Sequence, residues 1–159
     1  MKLTTRQDVE APLAFVFKVL TDFDGWERSA MRRGADVNRT DKLRQPGPGM
    51  TWLVKFLYRA KNRTVSIRVD AMDGPGHLAL AAFSPVFEGT CKLELLEMSA
   101  SRTRVHIELD GKPKTFGAKL YFQSLRLAKG RVERNLEKRA ASLAAEIEKR
   151  HARETGQGG

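Results

Sequence analysis

Three histidines, one cysteine and nineteen carboxylates are the side chains of this 159-residue sequence that could hold a metal or act as base or nucleophile. His77, His106 and His151 lie in three separate segments, and His106 falls on the polar side of an alternating pattern. A metal site needs ligands that converge, so surface histidines and no metal site are expected. Cys91 is the only cysteine, which excludes an internal disulfide and a cysteine zinc site. As a nucleophile it would need a base beside it; a buried structural thiol is the commoner outcome. Gly47-Pro48-Gly49 lacks the Lys-Ser/Thr of a phosphate loop and opens a strand pattern, not a helix. Glu88 and Glu94 alternate onto a solvent face, a poor setting for an acid–base pair. No catalytic residue is assigned, and no cofactor is expected.

The charge is uneven. Lys and Arg number 29 against 19 Asp and Glu, a formal +10, and Lys112–Glu154 holds twelve of the basic residues and five of the acidic ones. Such an excess suits nucleic acid, an anionic membrane or an acidic partner. No RNA- or DNA-binding signature accompanies it, and acidic residues intersperse the basic ones, so nucleic acid ranks well below a small ligand. No apolar run approaches the roughly 18 residues of a membrane span, and Met1–Arg6 has no apolar signal core. A soluble protein of the reducing cytoplasm is expected.

The elements that would position any site follow from periodicity. Leu3, Thr5, Gln7 and Val9 alternate with polar residues, which predicts an edge-like strand. Pro12 then opens a helix over roughly 12–22, with Leu13, Val16, Phe17 and Leu20 on one face. Asp24 can cap a second short helix that Gly34 ends. About six strands follow. The clearest carries Met50, Trp52, Val54, Phe56 and Tyr58 on one face; the others carry Val65–Ala71, Phe87–Leu95 and Val105–Leu109. Ala60–Arg63 reads as a tight turn, and 77–84 is apolar on both sides, so its inner side stays open. After Pro113 the pattern is helical to about 151. One domain over 1–152 and a disordered tail over 153–159 are expected.

Strands linked by tight turns must run antiparallel, and the only large element that can cover their apolar face is the C-terminal helix. The fold class is therefore α+β: a curved antiparallel sheet wrapped around one long C-terminal helix, with two short helices after the first strand. This arrangement, with the opening Val9-Glu10-Ala11-Pro12-Leu13-Ala14-Phe15-Val16-Phe17-Lys18-Val19-Leu20-Thr21-Asp22 and the following Trp26, resembles the helix-grip fold of the START / polyketide cyclase / Bet v 1-like superfamily over residues 2 to about 150. The resemblance implies a cavity that binds a lipid, isoprenoid quinone or polyketide-like compound. Cyclase or aromatase chemistry in the same cavity is the alternative. It also implies gating by the loops at Phe83–Phe87 and Lys112–Phe116. Without it, the facing side chains would be expected to interdigitate into a solid core. With it, the ligand-binding candidates are Trp26, Trp52, Val54, Phe56, Tyr58, Phe83, Cys91, Leu93, Ile107, Tyr121, Ser124 and Leu125.

Phe116, Leu120 and Leu127 fall on the side of the long helix away from Leu125, followed by Arg131, Arg134 and Lys138. Two readings stand. Either the first half of the helix is buried on both sides, or this line docks on an anionic membrane or a protein partner.

Overall fold

The alternating segments form seven strands in the computed structural model, which describes residues 1–156. The last three residues of the expected tail lie outside the described residues. In chain order the elements are β1 (Lys2–Val9), α1 (Leu13–Leu20), α2 (Phe23–Arg32), β2 (Asp36–Arg39), β3 (Thr51–Tyr58), β4 (Lys61–Asp73), β5 (His77–Phe83), β6 (Phe87–Ser99), β7 (Arg102–Pro113), α3 (Phe116–Leu127) and α4 (Lys129–Glu154). The strands build one curved, open antiparallel sheet in the order β1-β7-β6-β5-β4-β3-β2. Strands β2 to β7 form a meander, and β1 closes on β7, so β1 is an edge strand as its half-polar inner face suggests. The α+β helix-grip architecture is as expected.

Four local features depart from the expectation. The N-cap of α2 is Asp22, which accepts from the Gly25 amide at 3.2 Å, and Asp24 lies in the first turn. The turn between β3 and β4 sits at Arg59-Ala60, because Tyr58 already pairs with Lys61. The C-terminal helix is two helices: the chain leaves helical geometry at Ala128 (φ −105°, ψ 26°), two residues before Gly130. Finally, α4 runs through Glu154, two residues into the expected tail.

The register assigns the inner face. Trp52 faces Ile67, Val69 faces Leu80, Leu78 faces Leu93, Cys91 faces Leu109, and Leu95 faces Val105. In β5 the inward residues are therefore Leu78, Leu80 and Ala82. At one end of the sheet this face is sealed by two apolar clusters. Val9, Val16, Val19, Leu20, Leu95, Val105, Ala144 and Ile147 join β1, α1, the β6–β7 pair and the C-terminal half of α4. Phe23, Met50, Trp52, Val69 and Leu78 pack α2 onto β3–β5. Burying a large aliphatic side chain contributes about 1.5–3 kcal/mol, so these clusters carry much of the stability.

The opposite end of the same face is covered by α3, in which no residue is buried. Thr115 caps that helix through the Ala118 amide at 3.1 Å. It rests on β7 where Phe122 meets Gly111. A Cβ at Gly111 would come within 3.0 Å of the Phe122 ring, so only glycine permits this approach without adjustment.

Candidate ligand site on the inner face of the sheet

At the α3 end, Phe56, Ile67, Leu80, Ala82, Cys91 and Leu109 point toward the helices yet remain only half-buried. Alternation places Val54, Phe56, Cys91, Leu93 and Ile107 on this face, and the register agrees. Tyr121 and Leu125 of α3 are half-buried above it. Cys91 pairs across the sheet with Leu80 and Leu109, and burial pushes its thiol up to about 11, so it stays protonated near neutrality. As a protonated thiol it lies on the wall of the candidate site.

The polar groups gather at the β3–β4 turn. The hydroxyls of Tyr58 and Tyr121 lie 3.1 Å apart and tie the end of β3 to α3. That bond lowers the Tyr58 pKa, with Arg59 and Arg63 nearby adding to the effect, and it raises the pKa of Tyr121. Either hydroxyl can donate while both are protonated; once Tyr58 ionises, Tyr121 donates to it. Arg59 lies over both rings, 5.5 Å from the Tyr58 centroid and 5.1 Å from that of Tyr121. To do so, Arg59 and Ala60 both adopt left-handed backbone, with φ of 50° and 60°.

Arg63 is the residue that sequence reasoning missed. It faces Phe56 on the inner side of β4, and its Nε is buried without a hydrogen-bond partner. A buried unpaired donor on a charged group is costly, and it marks where an acceptor from a ligand could sit. Reading the turn as 60–63 hides this residue; a turn two residues earlier aligns Arg63 with Phe56.

Four of the expected ligand residues lie elsewhere. Phe83 pairs with Ser66 and Glu88 on the outer face, where Arg68 covers its ring at 5.0 Å. Ser124 is exposed and donates to the Leu120 carbonyl of its own helix at 3.2 Å. Trp52 belongs to the sealed core: it packs against Phe23, and its Nε1 donates to Glu27 at 2.6 Å. Trp26 lies in a groove between α2 and α4, with its Nε1 donating to the Leu20 carbonyl at 3.2 Å.

The two segments expected to gate the site are joined to each other. The Lys114 amide donates to the Val86 carbonyl at 2.8 Å, and Lys114 Nζ donates to the Ser84 carbonyl at 3.1 Å. The histidines stand apart: His106 is exposed on β7, His77 opens β5, and His151 stacks edge-on against Phe15 with centroids 4.9 Å apart. No helix among the described residues is long and apolar enough to cross a membrane.

Of the docking line, Phe116, Leu120 and Leu127 are 77%, 49% and 92% exposed, which removes the reading that buries α3 on both sides. Lys138 lies in the α2–α4 groove, and the break at Ala128 interrupts the line between its apolar and basic parts.

Comparison with known proteins gives the same picture. The family described as polyketide cyclase / dehydrase and lipid transport matches residues 1–148. No curated protein matches the chain. Among solved structures, the ZhuI aromatase/cyclase from Streptomyces sp. R1128 superposes with a TM-score of 0.70 at 17% identity, covering 94% of each chain. TTHA0849 from Thermus thermophilus gives 0.64 at 15% identity over 94% of this chain and 96% of that one. A START superfamily protein from Mycobacterium smegmatis gives 0.56 at 11% identity over 86% and 97%. At these identities the likeness concerns the fold.

Proposed function

We propose, for a chain that belongs to the polyketide cyclase / dehydrase and lipid transport family, that it binds an amphipathic small molecule carrying an anionic or strongly hydrogen-bond-accepting end. The apolar body lies on the half-buried inner face between Phe56, Leu80, Cys91 and Leu109, under Tyr121 and Leu125. The acceptor end meets Arg63. The observation that carries this reading is the buried, unpartnered Nε of Arg63 at the edge of that apolar face. Pockets of this kind are mostly apolar with a few fixed polar groups, and a guanidinium on a carboxylate or enolate makes a charge-assisted bond about twice as strong as a neutral one.

The test compares a fluorescent fatty acid with its methyl ester. Arg63→Met keeps length and apolar contact but loses the donor. The acid should bind the parent protein more tightly, and the variant should lose that preference while still binding the ester. Equal loss of both ligands, or an unchanged preference, would refute the assignment. Mass spectrometry of the protein as purified, before and after solvent extraction, identifies the natural occupant. Its conversion on the protein would establish the cyclase alternative.

A second reading concerns α3. Phe116, Leu120 and Leu127 project outward along one line, with the exposed Lys119 and Arg126 on its flank. This is the pattern of a short interfacial helix, and each basic side chain near an anionic leaflet adds about 1 kcal/mol, screened by salt. Binding to vesicles of phosphatidylglycerol but not phosphatidylcholine, lost in Leu127→Ser, is the expected result. Equal binding to both vesicles would reject it.

A further inference from the structure

The groove between α2 and α4 shares no residue with the face proposed above for the ligand. This open groove has a volume of about 840 Å³, within the roughly 300–1,000 Å³ range of small-molecule sites. Its walls are two cationic lines brought together by helix geometry. On α2, Arg28 and Arg32 are one turn apart, and Arg33 follows at the C-cap. On α4, Lys138 and Arg139 begin a stripe that runs through Ser142, Glu146, Arg150 and Arg153. The two carboxylates in the groove are already engaged: Asp22 pairs with Arg150 at 3.4 Å, and Glu146 with Arg153 at 3.9 Å. Among the described residues, Arg28, Arg32, Arg33, Lys138 and Arg139 make no ion pair.

Five unpaired cations facing one another across a cleft repel, and a cleft walled by one sign of charge concentrates the field that attracts an anion. Four of the five are arginines, whose planar forks match phosphate oxygens in pairs. The cations are spread over both walls, so a single monovalent anion cannot satisfy them; two or more phosphates can. Trp26 adds an apolar surface on the same groove. It is 42% exposed, and its indole N–H is already held by the Leu20 carbonyl, which fixes the ring. A flat bilayer cannot enter a trough between two helices.

We propose that this groove binds a small polyphosphorylated ligand with an aromatic part, of the nucleotide class. The phosphates lie between the arginines of α2 and Lys138/Arg139 of α4, and the aromatic part lies on Trp26.

Calorimetric titration at low salt with ATP, inorganic tripolyphosphate and adenosine tests this. ATP and tripolyphosphate should bind, ATP more tightly, with adenosine undetectable. ATP should also quench the exposed Trp26. The double variant Arg32→Ala/Arg139→Ala should weaken both anions at least about tenfold, in line with losing charge-assisted contacts. Arg33→Glu, an independent variant at an exposed position, should weaken both anions as well. Trp26→Leu should remove the advantage of ATP and leave tripolyphosphate binding intact. Replacing Lys119 and Arg126, basic residues outside the groove, by alanine should change neither. Failure of ATP and tripolyphosphate to bind, equal affinity for the two, or loss that depends only on net charge would each overturn the proposal. Binding of long acidic polymers alone would overturn it in favour of a macromolecular partner.

Discussion

The two ends of the sheet's inner face differ in how they are covered. At one end, α1, α2 and the C-terminal half of α4 bury Val16, Phe23, Trp52, Leu78 and Ile147. At the other, α3 rests on β7 and buries none of its own residues. Both ends belong to the same strands and have similarly apolar inner faces. The difference lies in what the chain supplies to cover them. The sealed end has small residues (Ala11, Ala140, Ala144) that let helices approach closely. The open end has an aromatic pair, two arginines and a helix whose outer side is as apolar as its inner side. On the function proposed above, stability and binding are thereby assigned to different ends of the same strands.

The largest expected effect tests that separation directly. Ile147→Ala removes a 1%-exposed side chain from the sealed end and should cost about 2–5 kcal/mol by denaturant unfolding. Leu125→Ala, in α3, should cost less than about 1 kcal/mol, because its site is already half open. Similar losses for the two would mean that α3 belongs to the cooperative core.

Gly111→Val comes next. Its Cβ would meet the Phe122 ring at 3.0 Å, and the valine methyls would press further into it. An overpacked contact typically costs about 1–3 kcal/mol, but here the loosely held helix can yield. The expected outcome is faster amide exchange across 116–127 and faster entry of an apolar dye, with β3–β6 exchange unchanged. Slowed exchange throughout the sheet's open end would show that α3 is fixed by something other than this contact.

The sealed end was also the easier one to read in the sequence. Period-two alternation in 50–58, 65–71, 87–95 and 105–109 specifies strands and their inner faces, and short turns force the meander. Alternation cannot choose a side where both are apolar, so His77–Ser84 stayed open until its partners fixed Leu78, Leu80 and Ala82 as inward. It also cannot see that a two-residue turn lacks glycine. Arg59-Ala60 has no turn chemistry, so composition points to a turn at 60–63 and includes Arg63 in it. Trp52 enters the ligand set through strand alternation and Trp26 through the family resemblance. Only tertiary packing shows that one is sealed beneath Glu27 and the other lies in a different groove. The basic groove between α2 and α4 joins segments about a hundred residues apart, beyond any local pattern.

The polar end of the open face can be read in a pH titration, because Tyr58 and Tyr121 are the only two tyrosines. Their hydrogen bond lowers one pKa and raises the other. Tyrosinate absorbance should rise in two steps, one below and one above the ordinary value of about 10. Tyr121→Phe removes the donor that favours the Tyr58 anion, so the remaining step should move up toward the ordinary value. If an anionic ligand engages Arg63, the first step of the parent protein should move up as well, since the nearby positive charge is then neutralised. A single step in the parent would mean that the two hydroxyls do not share a proton in solution.

The smallest expected effect concerns the turn that aims Arg59. Left-handed backbone costs a non-glycine residue about 1–2 kcal/mol, and both Arg59 and Ala60 adopt it. Glycine relieves that cost but adds about 0.4–1 kcal/mol of unfolded-chain freedom. Ala60→Gly should therefore stabilise the protein by about half a kcal/mol and leave ligand binding unchanged, because Ala60 is exposed. Arg59→Gly relieves the same backbone but removes the guanidinium from above the two tyrosine rings. It should gain less stability, and the Tyr58 pKa should rise because a nearby positive charge is gone. If both variants behaved alike in stability and titration, the strained turn would be an accident of a short hairpin. A difference between them shows that the turn holds its unfavourable backbone in order to place Arg59 over the aromatic pair at the open end.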